Sequence, residues 1–68
     1  MKEFHLTADF IELAKLLKLM RIAESGGHAK MLITGGFIKV NGIADHRKRA
    51  KLRSGDVVDI DGEKIRII

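Results

Sequence analysis

Hydrophobic residues recur at helical spacing in the first half of the chain and alternate with polar residues in the second half. The first helical stripe falls at positions i, i+3, i+4 and i+7 and consists of Phe10, Leu13, Ala14 and Leu17. This stripe predicts an amphipathic helix, and residues 3–6 before it are suited to a short edge strand. The start of the helix stays open, since acceptable starting residues occur at Thr7, Asp9 and Glu12.

A second and shorter helix is predicted after Ser25, whose hydroxyl is a good cap for the first unpaired backbone N–H groups. The apolar stripe of this helix consists of Ala29, Leu32 and Ile33. Gly35 and Gly36 are expected to end it, because glycine adopts the left-handed conformation without a steric cost.

The remaining hydrophobic residues follow the alternation of β-strands. The pairs that share a strand face are Ile38 and Val40, Val58 and Ile60, and Ile65 and Ile67. Asn-Gly at 41–42 and Asp-Gly at 61–62 are strong hairpin signals, and residues 43–45 are suited to a brief return strand. The pattern therefore predicts an α+β protein in which two short N-terminal helices pack on a small antiparallel sheet.

The length of 68 residues is enough for one small domain, so residues 1–68 are interpreted as a single domain. A chain with 46% hydrophobic and 32% charged residues is typical of a folded globule and not of a disordered tail. No run is apolar enough for a membrane span, and the first residues lack the layout of a signal peptide. The chain has no cysteine, which is compatible with a reducing compartment, and a cytoplasmic location is expected.

The charge balance of 13 basic against 9 acidic residues, with a pI near 9.8, suggests an anionic partner such as nucleic acid. Five basic residues follow His46 within seven positions, and we expect them to neutralise phosphates and release counterions. They are Arg47, Lys48, Arg49, Lys51 and Arg53, of which Lys48 is the weakest candidate. Leu52 is the one large apolar residue in this run and is expected to anchor it to the core. A solvated charge run is the less favoured alternative.

The start of the second helix is another candidate site. Gly26 and Gly27 leave its N–H groups open to close approach at the positive end of the helix dipole, where anions are favoured. Lys30 adds a positive charge one turn later, and His28 is placed to touch a phosphate. In the alternative interpretation, which is equally favoured, the glycines only relieve packing and Lys30 is solvated.

Phe37 and Lys39 lie on the face of their predicted strand that is opposite Ile38 and Val40. Lys39 is the better candidate for a contact with nucleic acid. Phe37 is suited either to stacking on an unpaired base or to packing in a minor core. The second role is favoured, because aromatic side chains bury a large apolar area.

These pieces together resemble the alpha-L RNA-binding family named after ribosomal protein S-four of the small subunit. In that family the second helix starts after a serine, carries alanine and a basic residue, and ends in glycine followed by V-x-V-N-G. The matching residues here are Ser25, Ala29-Lys30, Leu32-Ile33, Gly36 and Ile38-Lys39-Val40-Asn41-Gly42, with Gly55-Asp56 and Val58 matching a downstream G-D-x-I/V. The resemblance runs from about residue 13 to residue 60.

A narrower resemblance, to small stand-alone bacterial RNA-binding proteins, rests on S-G-G-x-A-K, V-N-G and R-K-R-x-K-L. Most of the wider family has an arginine after the serine, whereas this chain has Gly26, and the basic run is expected to supply the missing charge. The resemblance implies a monomeric binder of structured RNA, either ribosomal or transfer RNA, that is associated with ribosome assembly or translation. The expected RNA-binding residues are Ser25, Gly26, Gly27, His28, Lys30, Lys39, Arg47, Lys48, Arg49, Lys51 and Arg53.

Catalytic chemistry is not predicted. The histidines at 5, 28 and 46 do not have the spacing of metal ligands, and no carboxylate is placed to complete an acid–base pair. We therefore expect a non-enzymatic protein without a cofactor. The rival functions are a DNA-binding or replication-associated role and a protein-interaction adaptor whose basic face meets an acidic partner.

Overall fold

A computed structural model describes all 68 residues of the chain. It contains two helices and seven short strands. In chain order these are β1 (Lys2–Phe4), β2 (Ile11–Glu12), α1 (Leu13–Leu19), α2 (Gly26–Thr34), β3 (Ile38–Val40), β4 (Ile43–Ala44), β5 (Lys51–Leu52), β6 (Val57–Ile60) and β7 (Glu63–Ile67). The predicted α+β class is confirmed, with both helices ahead of most of the sheet.

The helix α1 begins at Leu13, which makes Glu12 its N-cap among the three starting residues that the sequence left open. It starts there because β2, just before it, pairs antiparallel with β5 and holds the preceding backbone extended. Phe10 therefore lies outside the helix and is 37% exposed, so the prediction that it begins the buried stripe is wrong.

The helix α2 has the two ends that the sequence predicts. Ser25 Oγ accepts a hydrogen bond from the His28 N–H at 3.1 Å. At the other end the Gly36 N–H donates to the Ile33 carbonyl and the Phe37 N–H donates to the Leu32 carbonyl, both at 3.2 Å. This pair of bonds is a Schellman motif, and Gly36, with φ of 82°, takes its left-handed position.

The main sheet has five strands in the order β1-β7-β6-β3-β4. The pairs β3–β4, β3–β6 and β6–β7 are antiparallel, as expected from the two hairpins. The edge strand β1 pairs in parallel with β7, so the sheet is mixed and not wholly antiparallel. The sequence of β1 does not show whether the strand pairs in parallel or antiparallel, because its partner β7 lies at the opposite end of the chain.

Fourteen buried residues, all apolar, form one core between the helices and the sheet. The alternating residues of β3, β6 and β7 supply its sheet side, and Leu13, Leu16 and Leu17 supply much of its helix side. Leu52 is 1% exposed, which confirms that it anchors the basic run. Because the core holds Leu52 of β5, the last part of the basic run has a fixed position on the domain.

Candidate nucleic-acid interface

A cleft of about 490 Å³ lies where α1, α2 and the basic run meet. Its nine lining residues are Glu12, Ala14, Lys15, Lys18, Gly26, Gly27, Lys30, Lys48 and Arg49. Five of them are lysine or arginine and one is acidic, so the cleft, called the basic cleft below, concentrates positive charge. A groove of one sign focuses the electrostatic field and attracts ligands of the opposite sign.

Backbone hydrogen bonds bring part of the basic run to this cleft. The Ala14 N–H donates to the Lys48 carbonyl at 3.0 Å, and the Leu13 N–H donates to the Ala50 carbonyl at 2.9 Å. The first N–H groups of a helix have no partner within the helix, and here the loop carbonyls satisfy them because Glu12 makes no side-chain cap. The loop is therefore fastened across the start of α1, and Lys48 and Arg49 line the basic cleft.

The start of α2 forms another wall of the basic cleft. The N–H groups of Gly26 and Gly27 donate to no protein acceptor, and a Cβ atom added at Gly26 would meet nothing within 4 Å. Lys30 is exposed on the same helix. Free N–H groups and the positive end of the helix dipole thus lie at the same cleft as the side chains of Lys48 and Arg49.

Arg47 is held away from this arrangement by Asp45. Its Nη2 and Nε atoms donate to Asp45 Oδ2 at 2.9 Å and to Oδ1 at 3.1 Å, and its backbone N–H also donates to Oδ1, at 3.0 Å. These hydrogen bonds, chiefly those from the guanidinium, lower the pKa of Asp45 below its ordinary value of 3.8, against the opposing effect of burial. The Arg47 guanidinium, which was expected to neutralise a phosphate, therefore already has a carboxylate partner.

The Asp45 carboxyl is expected to titrate closer to its ordinary pKa in the Arg47→Ala variant. Its pKa in the folded protein lies below that in the unfolded chain, so its contribution to stability is present above about pH 4. That contribution is lost as the pH falls through the lowered value. Carboxyl-carbon NMR titration of the parent protein and the variant measures the shift, and identical midpoints would contradict the proposed cause.

Lys51 and Arg53 lie beside Phe10. Lys51 Nζ is 4.9 Å from the centroid of the Phe10 ring, and Arg53 Cζ is 6.0 Å from it. Cations at such distances from an aromatic face are attracted to it. Neither residue lines the basic cleft, so the run of five basic residues divides among three surroundings.

The other candidates are also placed outside the basic cleft. Lys39 is exposed on β3 and lies directly across from Asp59 on β6, on the side of the sheet away from buried Ile38. His28 Nδ1 accepts a hydrogen bond from the Glu24 N–H at 3.1 Å, so this side chain closes the turn before α2. Ser25 serves as the cap of the same helix.

Lys15 and Lys18 are the cleft residues that the sequence did not single out. Both are exposed and stand one turn apart on the polar face of α1. Both lie off the apolar stripe of α1, which by itself indicates only an outward face, because the cleft exists through the packing of α1 beside α2. A basic pair on the polar face of a helix, read together with the glycines at the start of the next helix, is the signal that could have found them.

No group of three or more His, Cys, Asp or Glu side chains is arranged to hold a metal ion. The chain also contains no helix that is long and apolar enough to cross a membrane.

Two helices on a mixed sheet, with a basic cleft at the start of the second helix, define a small basic domain of the alpha-L class. The family model of the S4 domain matches residues 4–68. The chain belongs to the S4 domain family, which confirms the resemblance inferred from its motifs.

Two curated relatives match over most of their own length. One, from Escherichia coli, is named "Putative RNA-binding protein YbcJ" and is 40% identical over 58 residues, which cover 85% of this chain and 83% of YbcJ. The other, from Bacillus subtilis, is named "Probable ribosome maturation protein RlbA" and is 41% identical over 54 residues, which cover 79% of this chain and 76% of RlbA.

Solved structures agree with this assignment. The solution structure of YbcJ from Escherichia coli, described as having an alpha-L motif involved in RNA binding, matches with a TM-score of 0.75 and 38% identity. That match covers 100% of this chain and 87% of YbcJ. The 30S ribosomal protein S4e from Thermoplasma acidophilum shares the fold, with a TM-score of 0.66 and 23% identity over 88% of this chain and 32% of S4e.

Proposed function

We propose that this protein is a non-enzymatic RNA-binding protein that holds the phosphate backbone of structured RNA in the basic cleft. The observation that carries the proposal is the meeting of five cationic side chains with the two unpartnered N–H groups at the start of α2. Phosphate oxygens accept hydrogen bonds from both kinds of donor, and the lysines contribute charge without demanding one geometry.

The shape of the site favours RNA recognition through the backbone. The cleft walls contain one carboxylate and no aromatic side chain, so the cleft offers few groups that would distinguish one base edge from another. Double-stranded RNA is recognised mainly by the spacing of its phosphates and by its shape. The cleft is therefore suited to a folded RNA whose phosphates are held at fixed positions.

Ribosomal RNA is the proposed target, and ribosome maturation is the proposed process. The support comes from the relatives, since one is named for RNA binding and the other for ribosome maturation. The net charge of +4 adds long-range attraction to any such polyanion. The protein is proposed to act as a monomer in the cytoplasm.

The affinity for a structured ribosomal RNA fragment is expected to fall steeply with salt. If about four to six phosphates are contacted, the slope of log affinity against log salt concentration should lie near −3 to −5. Fluorescence anisotropy with a labelled RNA at several salt concentrations measures this slope. Parallel titrations with transfer RNA and with a DNA duplex of equal length serve as comparisons.

Two results would contradict the proposal. A slope near zero would show that the basic cleft does not bind phosphate. Tighter binding to the DNA duplex than to either RNA would favour the replication-associated alternative, because the cleft would then prefer the geometry of B-form DNA.

A further inference from the structure

Phe37 is a large aromatic side chain that the core does not use. It is 62% exposed, although it directly precedes Ile38, which is fully buried. The Schellman motif at the end of α2 determines its position, since the Phe37 N–H donates to the Leu32 carbonyl. The minor core that the sequence favoured for Phe37 is therefore absent, and the exposed ring is available for contact with a ligand.

Gly35 is the residue against which the Phe37 ring rests. A Cβ atom added at Gly35 would lie 2.7 Å from Phe37 Cε2 and 3.0 Å from Cδ2, closer than van der Waals contact permits. Gly35 has φ of −75°, a value open to any residue, so its backbone conformation does not require glycine. An added Cβ would be crowded by the ring and also by the Met31 carbonyl oxygen, 3.0 Å away. The ring is supported on one side by backbone while most of its surface faces solvent.

The surroundings of the ring favour a nucleic-acid ligand. Lys39 follows two residues later and is exposed on β3, the strand that Phe37 directly precedes, with Asp59 opposite it on β6. The His46 ring lies against Gly36, where an added Cβ would be 3.5 Å from His46 Cε1. His46 directly precedes the basic run, so it stands at the start of the loop that supplies Lys48 and Arg49 to the basic cleft.

We infer that Phe37 is a stacking site for one unpaired base of the RNA whose backbone lies in the basic cleft, an inference that rests on the proposed function. Sequence-tolerant base stacking on an aromatic ring is a common way to bind unpaired nucleotides. The helix α2, which separates Phe37 from Gly26 and Gly27, has nine residues and is about 13 Å long. A single stem-loop reaches both sites, with its stem in the cleft and a loop base on the ring.

The experiment uses the absence of tryptophan and tyrosine from the chain. The Phe37→Trp variant carries a single fluorophore at the stacking site, and its emission is expected to be quenched by an RNA hairpin with an unpaired loop. The matched control is Ile43→Trp. Ile43 is 74% exposed, and because it pairs with Val40 it lies on the side of the sheet opposite Lys39. The control should show little quenching with the same hairpin, and a blunt RNA duplex should quench neither variant.

A second variant separates stacking from phosphate binding. Phe37→Ala is expected to weaken hairpin binding roughly fivefold to hundredfold and to leave the blunt duplex unaffected, because only the loop base is lost. The salt slope should not change, since stacking releases no counterion. Circular dichroism verifies that the variant is folded.

The inference is overturned if Phe37→Ala binds the hairpin as tightly as the parent protein, or if the duplex quenches Phe37→Trp as strongly as the hairpin does. In both cases a normal salt slope for the parent protein would leave the proposed function intact. A flat salt slope in the parent protein would instead remove the proposed function, and the stacking site with it.

Discussion

The Leu52→Ala variant is expected to lose about 2–5 kcal/mol of unfolding free energy, the usual cost of removing a buried leucine side chain and leaving a cavity. Leu52 is 1% exposed and lies opposite Ile11 in the small β2–β5 sheet. That sheet holds the basic run against the start of α1. A domain of this size has only a few kcal/mol of stability in total, so the variant is expected to be largely unfolded.

Leu19→Ala is the matched control for this prediction. It removes the same atoms from a helix residue that is 55% exposed, so its effect should remain within about 0.5 kcal/mol. Thermal and urea unfolding followed by circular dichroism measure both variants. Equal losses in the two proteins would show that Leu52 is not the anchor of the loop.

The local elements could be predicted from the sequence because their signals are short-range. Ser25 caps α2 through a bond to a residue three positions later, and Asn41 has φ of 52° in a turn set by Gly42. Asp61 and Gly62 take the same kind of left-handed pair, with φ of 50° and 84°. Turns and helix caps depend on neighbours along the chain, so they can be predicted without knowledge of the fold.

The pairing of distant segments explains two motifs that the sequence could only match separately. Asn41 Nδ2 donates to Asp56 Oδ1 at 3.0 Å, and Asn41 Oδ1 accepts from the Val57 N–H at 2.9 Å. Asp56 Oδ2 accepts from the Arg53 N–H at 2.8 Å. Hydrogen bonds thus connect the V-N-G motif to the G-D motif and join two turns. Asn41 therefore has a second role beyond its turn conformation.

The candidate site was only partly predictable. The sequence shows which residues are charged, but it does not show which way each charged side chain points. The start of α2 lines the basic cleft through Gly26, Gly27 and Lys30, the residues that its sequence had suggested. Within the basic run, Lys48 and Arg49 line the cleft, whereas Arg47 bonds to Asp45 just upstream. Sequence alone could not divide the run, since the division depends on which loop carbonyls satisfy the start of α1. Whether these residues contact RNA stays a prediction.

The double variant Lys48→Ala with Arg49→Ala is expected to weaken RNA binding roughly tenfold to hundredfold near 0.1 M salt, because two phosphate contacts are lost. The salt slope should flatten by roughly 1.4–1.8 for the same reason. The loss should be similar for different structured RNAs, since phosphate contacts carry no sequence information. Folding should be preserved, because both side chains are exposed and the capping bonds to α1 come from backbone carbonyls.

Lys51→Ala with Arg53→Ala is the control, since it removes two positive charges from the same run but outside the basic cleft. Its net charge equals that of the cleft variant, so any general loss of attraction to a polyanion is the same in both proteins. The excess loss in the cleft variant therefore measures local phosphate contacts. If the two variants lose affinity and salt slope equally, RNA is attracted by the charge of the whole domain and the cleft has no special part in binding. If the control loses more, the interface lies beside Phe10, where Lys51 and Arg53 flank the ring.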